Sequence, residues 1–157
     1  MQKREFFMRE AIRLASENII SAKGGPFGCV VVRNGEIIAR AANSVTSSND
    51  PTAHAEVNAI RLACKFLNAF QLSDCEIYTS CEPCPMCLGA LYWARPKAIY
   101  FGASKTDAAD SGFDDSFIYN QLELSSAERS IPQIQLLNEE ATVPFKEWKT
   151  LLNKIEY

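Results

Sequence analysis

Histidine is almost missing from this sequence: His54 is the one imidazole in 157 residues. Any chemistry that needs a ring nitrogen must use it. A run of Lys and Arg is missing too. The 16 basic residues are scattered among 19 acidic ones, for a net charge of −3, unlike the basic face of a nucleic-acid binder. The expected partner is therefore a small molecule, with no nucleic acid. No apolar stretch approaches the roughly 18 residues that span a bilayer, so no membrane partner is expected. The start, Met1-Gln2-Lys3-Arg4-Glu5, is charged, and Phe6-Phe7-Met8 is soon cut by Arg9 and Glu10. That is not a secretory signal. The expectation is a cytoplasmic protein, where thiols stay reduced. Repeats, low-complexity tracts and linkers are absent, and the length suits one domain over 1–157.

What is present is an ordinary globular balance, 47 % apolar and 22 % charged, which excludes global disorder. Met8, Ile12, Ala15 and Ile19 recur at helical spacing and predict a helix from about Gln2 to Ala22. Gly24-Gly25-Pro26 breaks it. Cys29 to Val32 and Glu36 to Ala39 flank Asn34-Gly35, the strongest short hairpin signal. Asn43 to Asp50 is polar and loop-like. Val57, Ile60, Cys64 and Leu67 predict a second helix over about Ala53–Leu67. Glu76 to Thr79 reads as a strand. A third helix opens at Pro83 or Pro85 and runs to about Ala94, since proline suits a first turn. Lys97 to Phe101 is another strand. Short helices are expected between Thr106 and Tyr119, a strand at Ile134 to Leu137, and a last helix over Pro144–Ile155. Alternating strands and helices make the class α/β with a mixed sheet.

Chemistry concentrates in His54-Ala55-Glu56 and Pro83-Cys84-Pro85-Met86-Cys87. Catalytic zinc takes three protein ligands and keeps a fourth position for water. One His and two Cys supply such a set, and with Zn²⁺ the site is formally neutral. Bound water then loses its proton near neutral pH, and Glu56, beside the metal but not on it, would take it. His54 falls in the first turn of the second helix, and Cys84 and Cys87 in that of the third, on one face. The positive ends of two helices would favour the thiolates. Cys81-Glu82-Pro83-Cys84 is an overlapping CxxC, so spacing alone does not choose the pair. A closed set of His54, Cys81, Cys84 and Cys87 would instead make a structural zinc in a binding module. Cys29, Cys64 and Cys75 sit in apolar patterns and read as core.

H-x-E…P-C-x-x-C is the known zinc deaminase signature. At these residues the chain resembles the cytidine deaminase-like superfamily, and within it the bacterial guanine deaminases. The resemblance runs through Gly24 to Gly28, Asn49 to Glu56, Thr79 to Ala90, Tyr92 to Lys97, Gly112 to Tyr119 and the terminal Glu156-Tyr157. It implies a three-layer fold with a five-stranded mixed sheet between helices, zinc as cofactor on His54, Cys84 and Cys87, and Glu56 as proton carrier. It implies that Asn43, Ala55, Phe27 and Phe113 bind the purine base. Asp115 would hold the 2-amino group and help protons reach the departing ammonia, and Tyr157 would close the pocket. A homodimer is implied, with a C-terminal segment, about 106–157, exchanged between subunits. From residue chemistry alone, Asp114-Asp115 is a helix-capping pair, Phe27 is packing and Asn43 is a turn residue. The implied reaction is hydrolysis of guanine to xanthine and ammonia. The alternatives are guanosine, cytosine or tRNA adenosine as substrate.

Overall fold

Asn34 and Gly35 both take positive φ, 52° and 76°, the pair a type I′ turn requires. They join β1 (Gly28–Arg33) to β2 (Glu36–Ala42) as an antiparallel hairpin. The structure, a computed structural model, describes residues 2–157. It divides into two compact units, one up to Asp115 and one over Ser116–Tyr157.

The first unit holds α1 (Gln2–Ile20), the hairpin, α2 (Val45–Ser48), α3 (Ala55–Leu67), β3 (Cys75–Cys81), α4 (Pro85–Ala94), β4 (Ala98–Ala103) and α5 (Lys105–Asp110). The sheet order is β2-β1-β3-β4, with β1 antiparallel to β2 and β3 and β3 parallel to β4. The parallel step needs a crossover, and α4 makes it. Strand alternation sorts the core to two faces. Cys29, Val31, Cys75 and Ile77 pack with residues of α3 and α4, while Val30, Val32 and Tyr78 pack with Phe7 of α1. Helices thus cover both faces, as a three-layer fold requires.

The sheet has four strands, not five. The expected fifth, at Ile134 to Leu137, has no ladder, and its three large apolar side chains are exposed. A short apolar run does not by itself make a strand. The two helical stripes are also rotated. On α1 the buried residues are Phe7, Ala11, Ala15 and Asn18, while Ile12 and Ile19 are about half exposed along a groove of ≈ 450 Å³. On α3 they are Ala55, Glu56, Ala59 and Ala63, with Ile60, Cys64 and Leu67 at the margin. On α1 the cause is close approach at Ala11 and Ala15: a Cβ on Gly28 would stand 2.2 Å from the Ala11 carbonyl oxygen. Only small side chains fit between backbones so near.

In the second unit, α6 (Ser116–Glu123) and α7 (Asn138–Thr150) are the helices. The last helix starts six residues before the expected Pro144 and ends five before Ile155. Proline suits a first turn, but here it lies inside the helix and removes one ladder hydrogen bond. Asn138-Glu139-Glu140 makes the actual first turn, where acidic side chains favour the helix dipole.

Ile77 is fully buried at the sheet centre. Ile77→Ala is expected to destabilise the fold by about 2–5 kcal/mol, read as a lower denaturation midpoint at unchanged slope.

Candidate active site

Two helices begin at the same place. His54 is the N-cap of α3 and Cys84 the N-cap of α4, both with extended backbone, and Cys87 follows in the first turn of α4. His54 and Cys84 thus stand at the caps and not inside the first turns. An N-cap side chain is not bound to the helical direction, which lets both turn toward a common point. An Asp50–Thr52 turn leads into α3: the Asp50 carboxylate accepts from the Thr52 amide (2.8 Å) and hydroxyl (2.6 Å). Pro85 opens α4.

His54 Nδ1 lies 3.6 Å from Cys84 Sγ and 3.4 Å from Cys87 Sγ. Tetrahedral zinc, with Zn–S of about 2.3 Å and Zn–N of about 2.0 Å, sets sulfur and nitrogen about 3.5 Å apart. The three donors fit the ion. Among the described residues they are also the one group placed to hold a metal. Cys81 is not in it. Its thiol turns to the Ser104 carbonyl oxygen at 3.6 Å, and burial pushes it up to about 11. The overlapping CxxC is thereby resolved by position. The set is three donors and open, not the closed four of a structural zinc.

Without a cation the two thiols compete for one proton. Hydrogen bonding from Cys87 holds Cys84 down at about 4, and Cys84 in turn drives Cys87 well above the usual thiol range. The hydrogen bond to Cys84 raises His54. A divalent cation held by the three donors would favour the thiolate on both sulfurs, as the two helix N-termini also would.

Glu56, the second residue of α3, is 5 % exposed. Its Oε1 accepts from Thr79 Oγ1 at 3.0 Å, and its Oε2 accepts from Cys87 Sγ at 3.4 Å. Burial raises it above the ordinary carboxylate range. His54 and Glu56 would diverge on a regular helix, yet both reach Cys87.

Residues 1–103 match the family described as the cytidine and deoxycytidylate deaminase zinc-binding region. Guanine deaminase from Bacillus subtilis is 58 % identical over 98 % of both chains. Its X-ray structure superposes with a TM-score of 0.95, at 57 % identity and 98 % coverage of each chain. The chain belongs to the zinc-binding deaminases, among the guanine deaminases. The tRNA-specific adenosine deaminase of Aquifex aeolicus is 43 % identical over 64 % of this chain and 66 % of its own. A solved structure in complex with 2,6-diaminopurine is 36 % identical, with a TM-score of 0.66, over 69 % of this chain and 61 % of that one.

Asn43, expected to bind the base, is held in the chain's own hydrogen bonds. Its carboxamide oxygen accepts from the Gly25 and Val45 amides, both at 3.2 Å, so it is the turn residue its chemistry suggests. The amide nitrogen is left as the donor. Gly24 permits this approach, since a Cβ there would stand 2.3 Å from the Asn43 carbonyl oxygen. Phe27 and Phe113 meet edge to face at 5.0 Å. Ala55 is fully buried at the start of α3. Asp115 is raised by burial first and by the Cys84 charge second. Tyr157 belongs to the second unit and is 73 % exposed.

Two residues escaped the sequence reading. Asn18, 5 % exposed, donates to the carbonyls of Gly25 and Asn43, both at 2.8 Å. Thr79 touches Glu56. Asn18 carried a signal: it continues the stripe Phe7, Ala11, Ala15 once the alanines are counted. Thr79 carried a weaker one, a hydroxyl in an otherwise apolar strand.

Cys84→Ala and Cys87→Ala are expected to lose zinc and Cys81→Ala to keep it, by elemental analysis of purified protein. Zinc affinity is expected to rise with pH across neutrality, because Cys87 and the raised His54 must give up their protons to ligate, with about one to two protons released per ion. Calorimetry in buffers of different ionisation enthalpy reads that number.

Proposed function

We infer that this chain hydrolyses guanine to xanthine and ammonia. The observation that carries the reading is the open His54–Cys84–Cys87 set with a buried carboxylate beside it, joined to likeness with guanine deaminase over 98 % of the chain. The tRNA deaminase match covers 64 % of the chain, so the rest of the sequence has its counterpart in the guanine enzyme. The 16 basic residues form no run in the sequence, which does not favour tRNA.

Zinc held by His54, Cys84 and Cys87 supplies Lewis acidity that brings the pKa of water toward about 7. The remaining work belongs to side chains. We assign Glu56 the proton: it takes one as water adds to C2 and gives it to N3. A raised carboxyl suits that task, since a group that holds and releases a proton works best near the operating pH. We assign Asp115 to the 2-amino group and to the second proton transfer, which makes ammonia the leaving group; its raised pKa supports a proton-holding role. The Asn43 amide, the Ala55 segment and the Phe27–Phe113 pair would seat the ring, and Tyr157 would close over it.

We further assign a homodimer in the cytoplasm, whose C-terminal segment serves the partner's site. The exchanged segment would be about 106–157, while the second compact unit begins later, at Ser116. Two observations support the assignment. Phe145, Leu152 and Ile155 are left exposed on one chain. All six cysteines are free thiols.

Ammonia release is expected from guanine, with little from guanosine, cytosine or adenine. No release from guanine overturns the reading. Glu56→Gln is expected to keep its zinc and lose roughly 10²–10⁴-fold in kcat; full activity in that variant removes Glu56 from the mechanism.

A further inference from the structure

Thr79 stands in a row of β3 side chains that faces α3 and α4. By strand alternation the row is Cys75, Ile77, Thr79 and Cys81, and Cys75 and Ile77 belong to the core on that side. Thr79 is itself 1 % exposed. Valine would fill nearly the same space there and suit a strand equally well, so packing does not account for the hydroxyl. Its partner does. Oγ1 donates to Glu56 Oε1 at 3.0 Å, while Oε2 of the same carboxylate lies 3.4 Å from Cys87 Sγ. The Thr79 backbone is held on both flanks, opposite Cys29 of β1 and Phe101 of β4. The hydroxyl is therefore fixed to the centre of the sheet.

We propose that Thr79 is a positioning residue for the proton transfer: it binds Oε1 of Glu56 and so makes Oε2, on the His54–Cys84–Cys87 side, the oxygen that carries the proton. A protonated carboxyl has one O–H and one oxygen that only accepts. The bond from Thr79 occupies Oε1 as that acceptor, and the gained proton goes to Oε2. Terminal carboxylate torsions are broad and two-fold, and the row of neighbours on β3 offers no other hydroxyl to choose between the oxygens. Thr79 gives up no proton in the cycle. The inference rests on the role given to Glu56 above.

The test compares zinc-loaded Thr79→Val, Thr79→Ser and Thr79→Ala with the parent protein. In Thr79→Val the zinc content and the KM for guanine are expected to stay near the parent values. Its kcat should fall roughly 10- to 100-fold, the cost of a displaced reacting group. Its crystal structure should show the Glu56 carboxyl turned or split between two orientations. Thr79→Ser should restore both rate and orientation. An unchanged kcat or an unchanged carboxyl in Thr79→Val overturns the proposal, and so does a serine variant that restores neither. Should the valine variant fail to fold, serine and alanine decide: a rate lost in alanine and kept in serine supports the proposal, and equal rates overturn it. A parent protein that releases no ammonia from guanine overturns the functional reading instead, and the carboxyl orientations then judge Thr79 alone.

Discussion

The arrangement depends on α3 and α4 beginning within a ligand's reach of each other. His54 caps one helix and Cys84 the other, and Cys87 touches both His54 and Glu56. That meeting is costly alone. It brings two thiols, an imidazole and a carboxyl into a half-buried space, where the sulfurs share a proton and the carboxyl is pushed toward neutrality. A divalent cation removes the conflict. The same crowding that disfavours four charges in a dry space leaves the carboxyl able to hold and release a proton.

The sheet sets the geometry. β3 and β4 run parallel, so their connection must cross over, and α4 does so from the end of β3. β3 also carries Thr79 to the back of Glu56 and Ser80 to the amide of Gly28 at 3.0 Å. On the opposite side, Asn18 ties the last turn of α1 to Gly25 and Asn43. Glu56 and Thr79 thus hang from α3 and the sheet, while Phe27 and Asn43, which we propose hold the ring, lie in the segments after α1 and β2.

Much of this was legible in the sequence, for reasons that differ by element. The hairpin was, because Asn34-Gly35 is a backbone demand written in two residues. The donors were, because zinc chemistry needs few residue types at tight spacing. The choice between Cys81 and Cys87 was legible from the deaminase signature but not from spacing, since spacing does not say where β3 ends or which way its last side chain points. The buried faces of α1 and α3 were mostly misread by one position, with Ala15 correctly placed. Large apolar residues dominate a periodic pattern, but the side chains nearest the sheet are alanines. The expected fifth strand failed because Ile134 to Leu137 has apolar character without a partner. Pro144 misled because its position in a helix can be judged only from the residues around it.

Ala55, Ala59 and Ala63 act as methyl-sized spacers under α3. They fix the height of its first residue above the strands, so the ligand separations are inherited from the core. Drift at these positions is one-sided. Glycine is the one smaller choice and weakens the helix, and anything larger lifts His54 away from the sulfurs. Divergence toward other rings therefore has little freedom on the metal side. It has more room around Phe113, which lies outside helix and strand and is part-exposed.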